Sequence, residues 1–121
     1  MFVRYNIIPG LWVLVVSLLI LAPGRNLPET GSLVGLDKIA HTLVFSVEAI
    51  LVIVGFSKQK EIAIFNKKPV FWGIIIGLIH NIILEFGQLL IPDRAFDPID
   101  MLANCAGLFV GMTIFWIIYK F

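Results

Sequence analysis

The chain has 121 residues, of which 60% are hydrophobic and only 14% charged, and its mean hydropathy is +1.00. Soluble domains carry about 25% charged residues, so this composition excludes a soluble globular protein. The net charge of +1, without a basic stripe, gives no sign of nucleic-acid binding, and the single cysteine, Cys105, excludes an intrachain disulfide.

Four apolar runs, residues 6–22, 39–56, 70–91 and 100–119, are close to the roughly 20 residues that a helix needs to cross a bilayer. Continuous runs such as LWVLVVSLLIL lack the alternation of β-barrel strands. The first run resembles a signal peptide, but three further spans favour an anchor over a cleaved leader. The sequence therefore predicts one all-α domain over residues 1–121, a polytopic membrane protein built as a bundle of four transmembrane helices.

Basic residues predict the orientation of this bundle. Four spans place both termini and the middle loop on one side, and six of the nine basic residues fall there: Arg4, Lys58, Lys60, Lys67, Lys68 and Lys120. Short loops rich in Lys and Arg stay in the cytoplasm. We therefore expect both termini to be cytoplasmic, with residues 23–37 and 92–99 facing outward.

Each of the last three spans carries one polar stripe at helical spacing, toward its outer end. In chain order the stripes contain Asp37, His41 and Glu48; Asn81, Glu85 and Gln88; and Asp100, Asn104, Gly107 and Gly111. Lipid does not solvate polar groups, so the three stripes are expected to turn inward and form one site. Arg94 of the outer loop is expected to pair with Glu85 or Asp100, because a buried carboxylate needs a counter-charge.

The residues alone leave structural interpretations open. Asp37 and Asp100 could cap the N-termini of their helices, and polar bonds between helices could simply hold the bundle together. Glu48 and His80 both fall near mid-membrane, where a contact between them would suit either a proton relay or a single buried hydrogen bond.

Two classes of function compete for the outer cluster. No HExxH, Walker A, GxSxG or CxxC motif occurs, so no nucleophile or metal set is recognisable and no metal ligand is assigned. His41, Glu85 and Asp100 are the candidate catalytic groups if the protein performs acid–base or metal-assisted chemistry on a lipid-linked head group. Without a recognisable nucleophile, binding of an amphiphilic ligand is the favoured interpretation.

An ordered set of short motifs spans the second to fourth helices: DKIAH at Asp37–His41, ExxQ at Glu85–Gln88, RxxD at Arg94–Asp97, DxxxN at Asp100–Asn104 and NxxG at Asn104–Gly107. This set resembles the VanZ-like family of small bacterial membrane proteins, whose namesake gives low-level resistance to the glycopeptide teicoplanin. Glu48 departs from the family pattern, because an apolar residue would be expected there.

The resemblance implies a multi-pass protein of the bacterial cell (inner) membrane with a link to glycopeptide resistance. We expect the outer site to bind a cell-envelope amphiphile, such as a lipid-linked precursor or the acyl chain of a lipoglycopeptide. The predicted ligand-binding residues are Asp37, Lys38, His41, Glu85, Gln88, Arg94, Asp97, Asp100 and Asn104. The bilayer is the one partner that the sequence indicates directly, and it indicates neither a cofactor nor an oligomeric state.

Overall fold

A computed structural model describes residues 2–21, 34–91 and 98–120, without the side chains of residues 34–37 and 120. Within these ranges the regular structure is entirely helical: α1 Phe2–Ile20, α2 Val34–Lys58, α3 Ala63–Lys67, α4 Pro69–Gln88 and α5 Pro98–Lys120. The four long helices are apolar enough to cross a membrane. The predicted all-α, multi-pass membrane fold is confirmed.

The helix boundaries differ from the predicted ones mainly at α2. This helix begins at Val34 rather than Ile39, so the backbone of the whole DKIAH motif is helical and Asp37 lies within the first turn. Hydropathy located the apolar run correctly but stopped at the charged residues, which a helix readily carries where it leaves the bilayer. The middle loop also contains α3, which the sequence did not predict.

The middle loop is held by two amides. The Gln59 amide oxygen accepts the backbone N–H of Ile62 at 2.8 Å, and its nitrogen donates to the Ile62 carbonyl at 3.0 Å. Asn66 donates to the carbonyls of Ser57 and Gln59 at 2.9 and 2.8 Å. These bonds replace the helical partners that the chain loses where α2 ends. Pro69 then occupies the first turn of α4, where a missing N–H is harmless.

Helix α2 is the centre of the bundle and packs against every other helix, most extensively against α5. Two glycines of α5 make that contact close. A Cβ on Gly107 would lie within 3.0 Å of the Thr42 carbonyl oxygen, and one on Gly111 equally close to the Ser46 carbonyl oxygen. Gly107 and Gly111 therefore allow the backbones of α2 and α5 to approach closely, as small residues do between membrane helices.

The interior of the bundle is apolar between its polar layers. Phe45 and Ile53 of α2, Leu84 of α4 and Leu108 of α5 are each at most 1% exposed. Large apolar side chains also cover the outside of every long helix, as expected where the solvent is lipid. In such a molecule the informative residues are the buried polar ones, and most of these lie in two clusters.

Candidate functional site

An ion pair marks the end of the bundle where α1 and α4 finish and α5 begins, which we call the site end. Lys38 of α2 donates to the carboxylate of Asp100 in the first turn of α5. The two side chains are 22% and 12% exposed, so the pair lies at the margin of the buried interior. Asp100 therefore joins two helices with its side chain, in addition to standing near the positive end of the α5 dipole.

One turn deeper, Asn104 of α5 connects three helices. Its amide oxygen lies 2.8 Å from Nδ1 of His41 on α2, and since this oxygen only accepts, His41 donates from Nδ1. Its amide nitrogen donates to Asn81 Oδ1 at 2.7 Å and to Glu85 Oε1 at 3.3 Å, both on α4. We call His41, Asn81, Glu85 and Asn104 the Asn104 network.

The α4 and α5 members of the Asn104 network are buried, whereas His41 of α2 is half-buried. Asn104 and Glu85 are fully buried and Asn81 is 1% exposed. The Asn81 amide nitrogen also donates to the Met101 carbonyl at 3.3 Å and approaches Cys105 Sγ at 3.4 Å. These bonds fix the orientation of the Asn81 amide, and with it that of Asn104. The network thus offers a carboxylate, an imidazole and two amides in fixed positions.

Gln88 does not join this network. Its amide nitrogen donates to the Ile20 carbonyl in the last turn of α1 at 3.1 Å, and the side chain is 2% exposed. The carbonyls of a last helical turn have no intrahelical donor, so this bond satisfies one of them. Gln88 was predicted as a ligand-binding residue, and here it fastens α1 to α4.

The other predicted site residues lie partly outside the described structure. The Asp37 side chain, Arg94 and Asp97 are outside the described residues, so the expected pairing of Arg94 stays a prediction. Among the residues that are described, no three His, Cys, Asp or Glu side chains are grouped to hold a metal ion. The side chains that are described at the site can form hydrogen bonds, pair charges and transfer protons.

A second polar group lies toward the middle of the bundle. Nδ1 of His80 on α4 is 2.9 and 3.0 Å from the two carboxylate oxygens of Glu48 on α2. Its Nε2 is 2.9 Å from Oγ of Ser17 on α1. We call Ser17, Glu48 and His80 the His80 network. The Glu48–His80 contact that the sequence left open is present, whereas Ser17 was missed, although it interrupts the apolar run VLVVSLLIL.

The His80 network is also tied to the backbone of α1. Ser17 Oγ lies 2.8 Å from the Val13 carbonyl, to which it donates, and a His80 ring with its hydrogen on Nε2 donates to Ser17 in that arrangement. A single proton shared by His80 Nδ1 and Glu48 would then make the pair neutral overall. Glu48 is fully buried and His80 is 9% exposed, and a neutral pair is the form that such burial tolerates best.

Together the fold and its site define a small four-span membrane protein with a three-helix polar cluster at one end. The family model described as VanZ/LLP1 matches residues 2–119, nearly the whole chain. The chain belongs to the VanZ/LLP1 family, and the resemblance seen in its motifs is confirmed. The comparison with curated proteins found no significant match, and neither did the comparison with solved structures.

Proposed function

We propose that the site end binds the polar head group of an amphiphilic cell-envelope molecule, whose apolar part stays in lipid. The Asn104 network supports this proposal most directly, since it places a carboxylate, an imidazole and two amides within one hydrogen-bonded cluster. Polar side chains in the bilayer cost free energy, and for that reason they commonly mark functional sites. Head groups made of sugars, peptides and phosphates present the complementary donors and acceptors.

The half-buried Lys38–Asp100 pair extends the proposed site toward the water. A head-group charge of either sign would find a partner there, because the pair carries one charge of each sign. Both side chains are also partly exposed. Arg94, from the loop before α5, is proposed to add a planar guanidinium that grips a carboxylate or phosphate in two places. A contribution to teicoplanin resistance is the corresponding physiological proposal, drawn from the family to which the chain belongs.

Proton transfer on the bound head group is a second candidate function. The observation that favours it is the shared contact of His41 and Glu85 with the same amide, which keeps an imidazole and a carboxylate close together. A bound molecule that leaves unchanged fits the first candidate, and one that is chemically altered fits the second.

Lipid analysis tests both candidates. The protein would be purified from its host in mild detergent, and the co-purifying amphiphiles quantified per protein chain by mass spectrometry. We expect a non-phospholipid amphiphile in the wild type that is lost from Arg94→Lys, because lysine keeps the charge but not the planar fork. Whole-cell lipid extracts with and without the gene would show whether the molecule is altered. Equal amounts in wild type and variant would contradict the proposed clamp.

The proposed site faces outward only if the basic end of the bundle is cytoplasmic, and cysteine labelling tests that orientation. The native Cys105 is half-buried and would be replaced by serine before a cysteine is placed at Ser57. We expect protection of the new thiol from an impermeant reagent in intact cells. Rapid labelling from outside would reverse the proposed orientation.

A further inference from the structure

The end of the bundle opposite the site, which we call the N-terminal end, contains a basic cleft. Its volume is about 440 Å³, and it is lined by Tyr5, Lys58, Lys60 and Glu61. The Arg4 guanidinium carbon lies 5.7 Å from the centre of the Tyr5 ring, so a third cation stands beside the cleft. With three cations against one carboxylate, the cleft favours an anion.

A second cavity, an apolar groove, is lined by neighbouring residues of the same two helices, α1 and α2. Its volume is about 220 Å³, and it is lined along α1 from Phe2 to Val13, with Val52 of α2 and Ile76 of α4 on its other walls. An α-helix rises about 1.5 Å per residue, so Phe2 and Val13 are separated by about 16 Å along α1. Half of the hydrocarbon thickness of a bilayer is about 15 Å. The groove therefore has the length of one leaflet.

The sequence of α1 explains why the groove is open. Gly10 lines it, and a Cβ built on Gly10 would meet no atom within 4 Å. Beside it, Pro9 has no N–H to offer the Tyr5 carbonyl, and that carbonyl lies against Gly55 of α2 instead. Two small residues, Gly10 and Gly55, thus let α1 approach α2 at one point and leave space beside it.

We propose that the N-terminal end binds one anionic phospholipid of the adjacent leaflet. Its phosphate occupies the basic cleft and one acyl chain lies in the apolar groove. Both cavities involve the first turns of α1 and the last turn of α2, through Tyr5 and Lys58 in the cleft and Phe2 and Phe56 in the groove. A charged head joined to a leaflet-long apolar chain is the one membrane component that matches both. The proposal is independent of the ligand at the site end.

The charge of the cleft is tested by native mass spectrometry of the detergent-solubilised protein with added phosphatidylglycerol or phosphatidylcholine. We expect phosphatidylglycerol to bind at least tenfold more tightly. Replacing two lysines near a membrane surface should weaken its binding about thirtyfold, so Lys58→Gln/Lys60→Gln is the test variant. The matched control is Lys67→Gln/Lys68→Gln, which removes the same charge from exposed positions that do not line the cleft.

The groove is tested by filling it. A Cβ at Gly10 meets no atom within 4 Å, so the side chain of Gly10→Phe starts in open space, and we expect this variant to reduce phosphatidylglycerol binding at least tenfold. Gly10→Ala is the smaller control. Phosphatidylglycerol with a photoreactive group at mid-chain should label peptides containing Val13 or Ile76 in the wild type and not in Gly10→Phe. Tryptophan fluorescence melting checks that both variants are folded.

Three outcomes would overturn the proposal. Equal affinity for the two lipids would show that the charge of the cleft does not select the ligand. Competition by inorganic phosphate, together with unchanged lipid binding in Gly10→Phe, would show that the cleft binds anions without using the groove. A change from dimer to monomer in Gly10→Phe, with lipid binding unaltered, would identify a second copy of the chain as the occupant of the groove.

Discussion

The Asn104 network and the His80 network are both buried polar clusters, but they are built differently. The His80 network joins α1, α2 and α4 through a histidine–carboxylate pair in which both ring nitrogens and both carboxylate oxygens have partners within the cluster. The Asn104 network joins α2, α4 and α5 and lies one turn below an ion pair whose side chains are 22% and 12% exposed. The first arrangement is typical of a structural contact between helices and the second of a ligand-binding site. The same residue types should therefore respond differently to mutation in the two networks.

The largest effect is expected at His80. Removing one partner of a buried pair leaves the other uncompensated, so His80→Leu should lower the free energy of unfolding by about 3 kcal/mol. Replacing both partners by apolar residues is often neutral, and Glu48→Leu/His80→Leu should return to within about 1 kcal/mol of the wild type. Unfolding by SDS titration in mixed micelles, followed by tryptophan fluorescence, measures both. A double variant as unstable as the single one would contradict a purely structural role.

The second-largest loss of stability is expected from a methyl group at Gly107, which affects the helix contact of only one of the two networks. Gly107→Ala places a Cβ on the Thr42 carbonyl, at the α2–α5 contact that the Asn104 network crosses and the His80 network does not. Overpacking of this kind typically lowers stability by about 2 kcal/mol. Gly10→Ala is the matched control: another glycine within a helix, with nothing within 4 Å, so it should be neutral or stabilising by up to about 1 kcal/mol. Equal stability of the two variants in thermal melts would contradict the packing described.

A smaller effect is expected from Asn104→Ala. The substitution removes three interhelical hydrogen bonds, and such bonds average about 0.6 kcal/mol in bilayers, so stability should fall by about 1 to 2 kcal/mol. Each of His41, Asn81 and Glu85 loses one of its contacts. A double-mutant cycle between Asn104→Ala and His41→Ala should give a coupling energy of about 0.5 kcal/mol or more. Strict additivity would show that the two side chains do not interact.

The sequence predicted the membrane spans and the inward-facing polar stripes, because both follow from hydropathy and helical period. It did not predict that Gln88 reaches Ile20 or that His80 reaches Ser17. Those contacts depend on the rotation and axial offset of α1 relative to α4, and α1 has too few polar residues to indicate either. The offset of α2 against α5 is set by where Gly107 and Gly111 meet backbone carbonyls, which a motif of small residues alone does not specify.

The most direct test of the central claim compares Glu85→Gln with Glu48→Gln. Both carboxylates are fully buried, and both substitutions keep the shape while removing the acid. Glu85→Gln should change stability by less than about 0.5 kcal/mol, because the amide oxygen still accepts from Asn104. The quantity to measure is the co-purifying amphiphile per chain. We predict a loss of at least tenfold for Glu85→Gln and no change for Glu48→Gln. Retention in Glu85→Gln, or an equal loss in both variants, would contradict a ligand site at the Asn104 network.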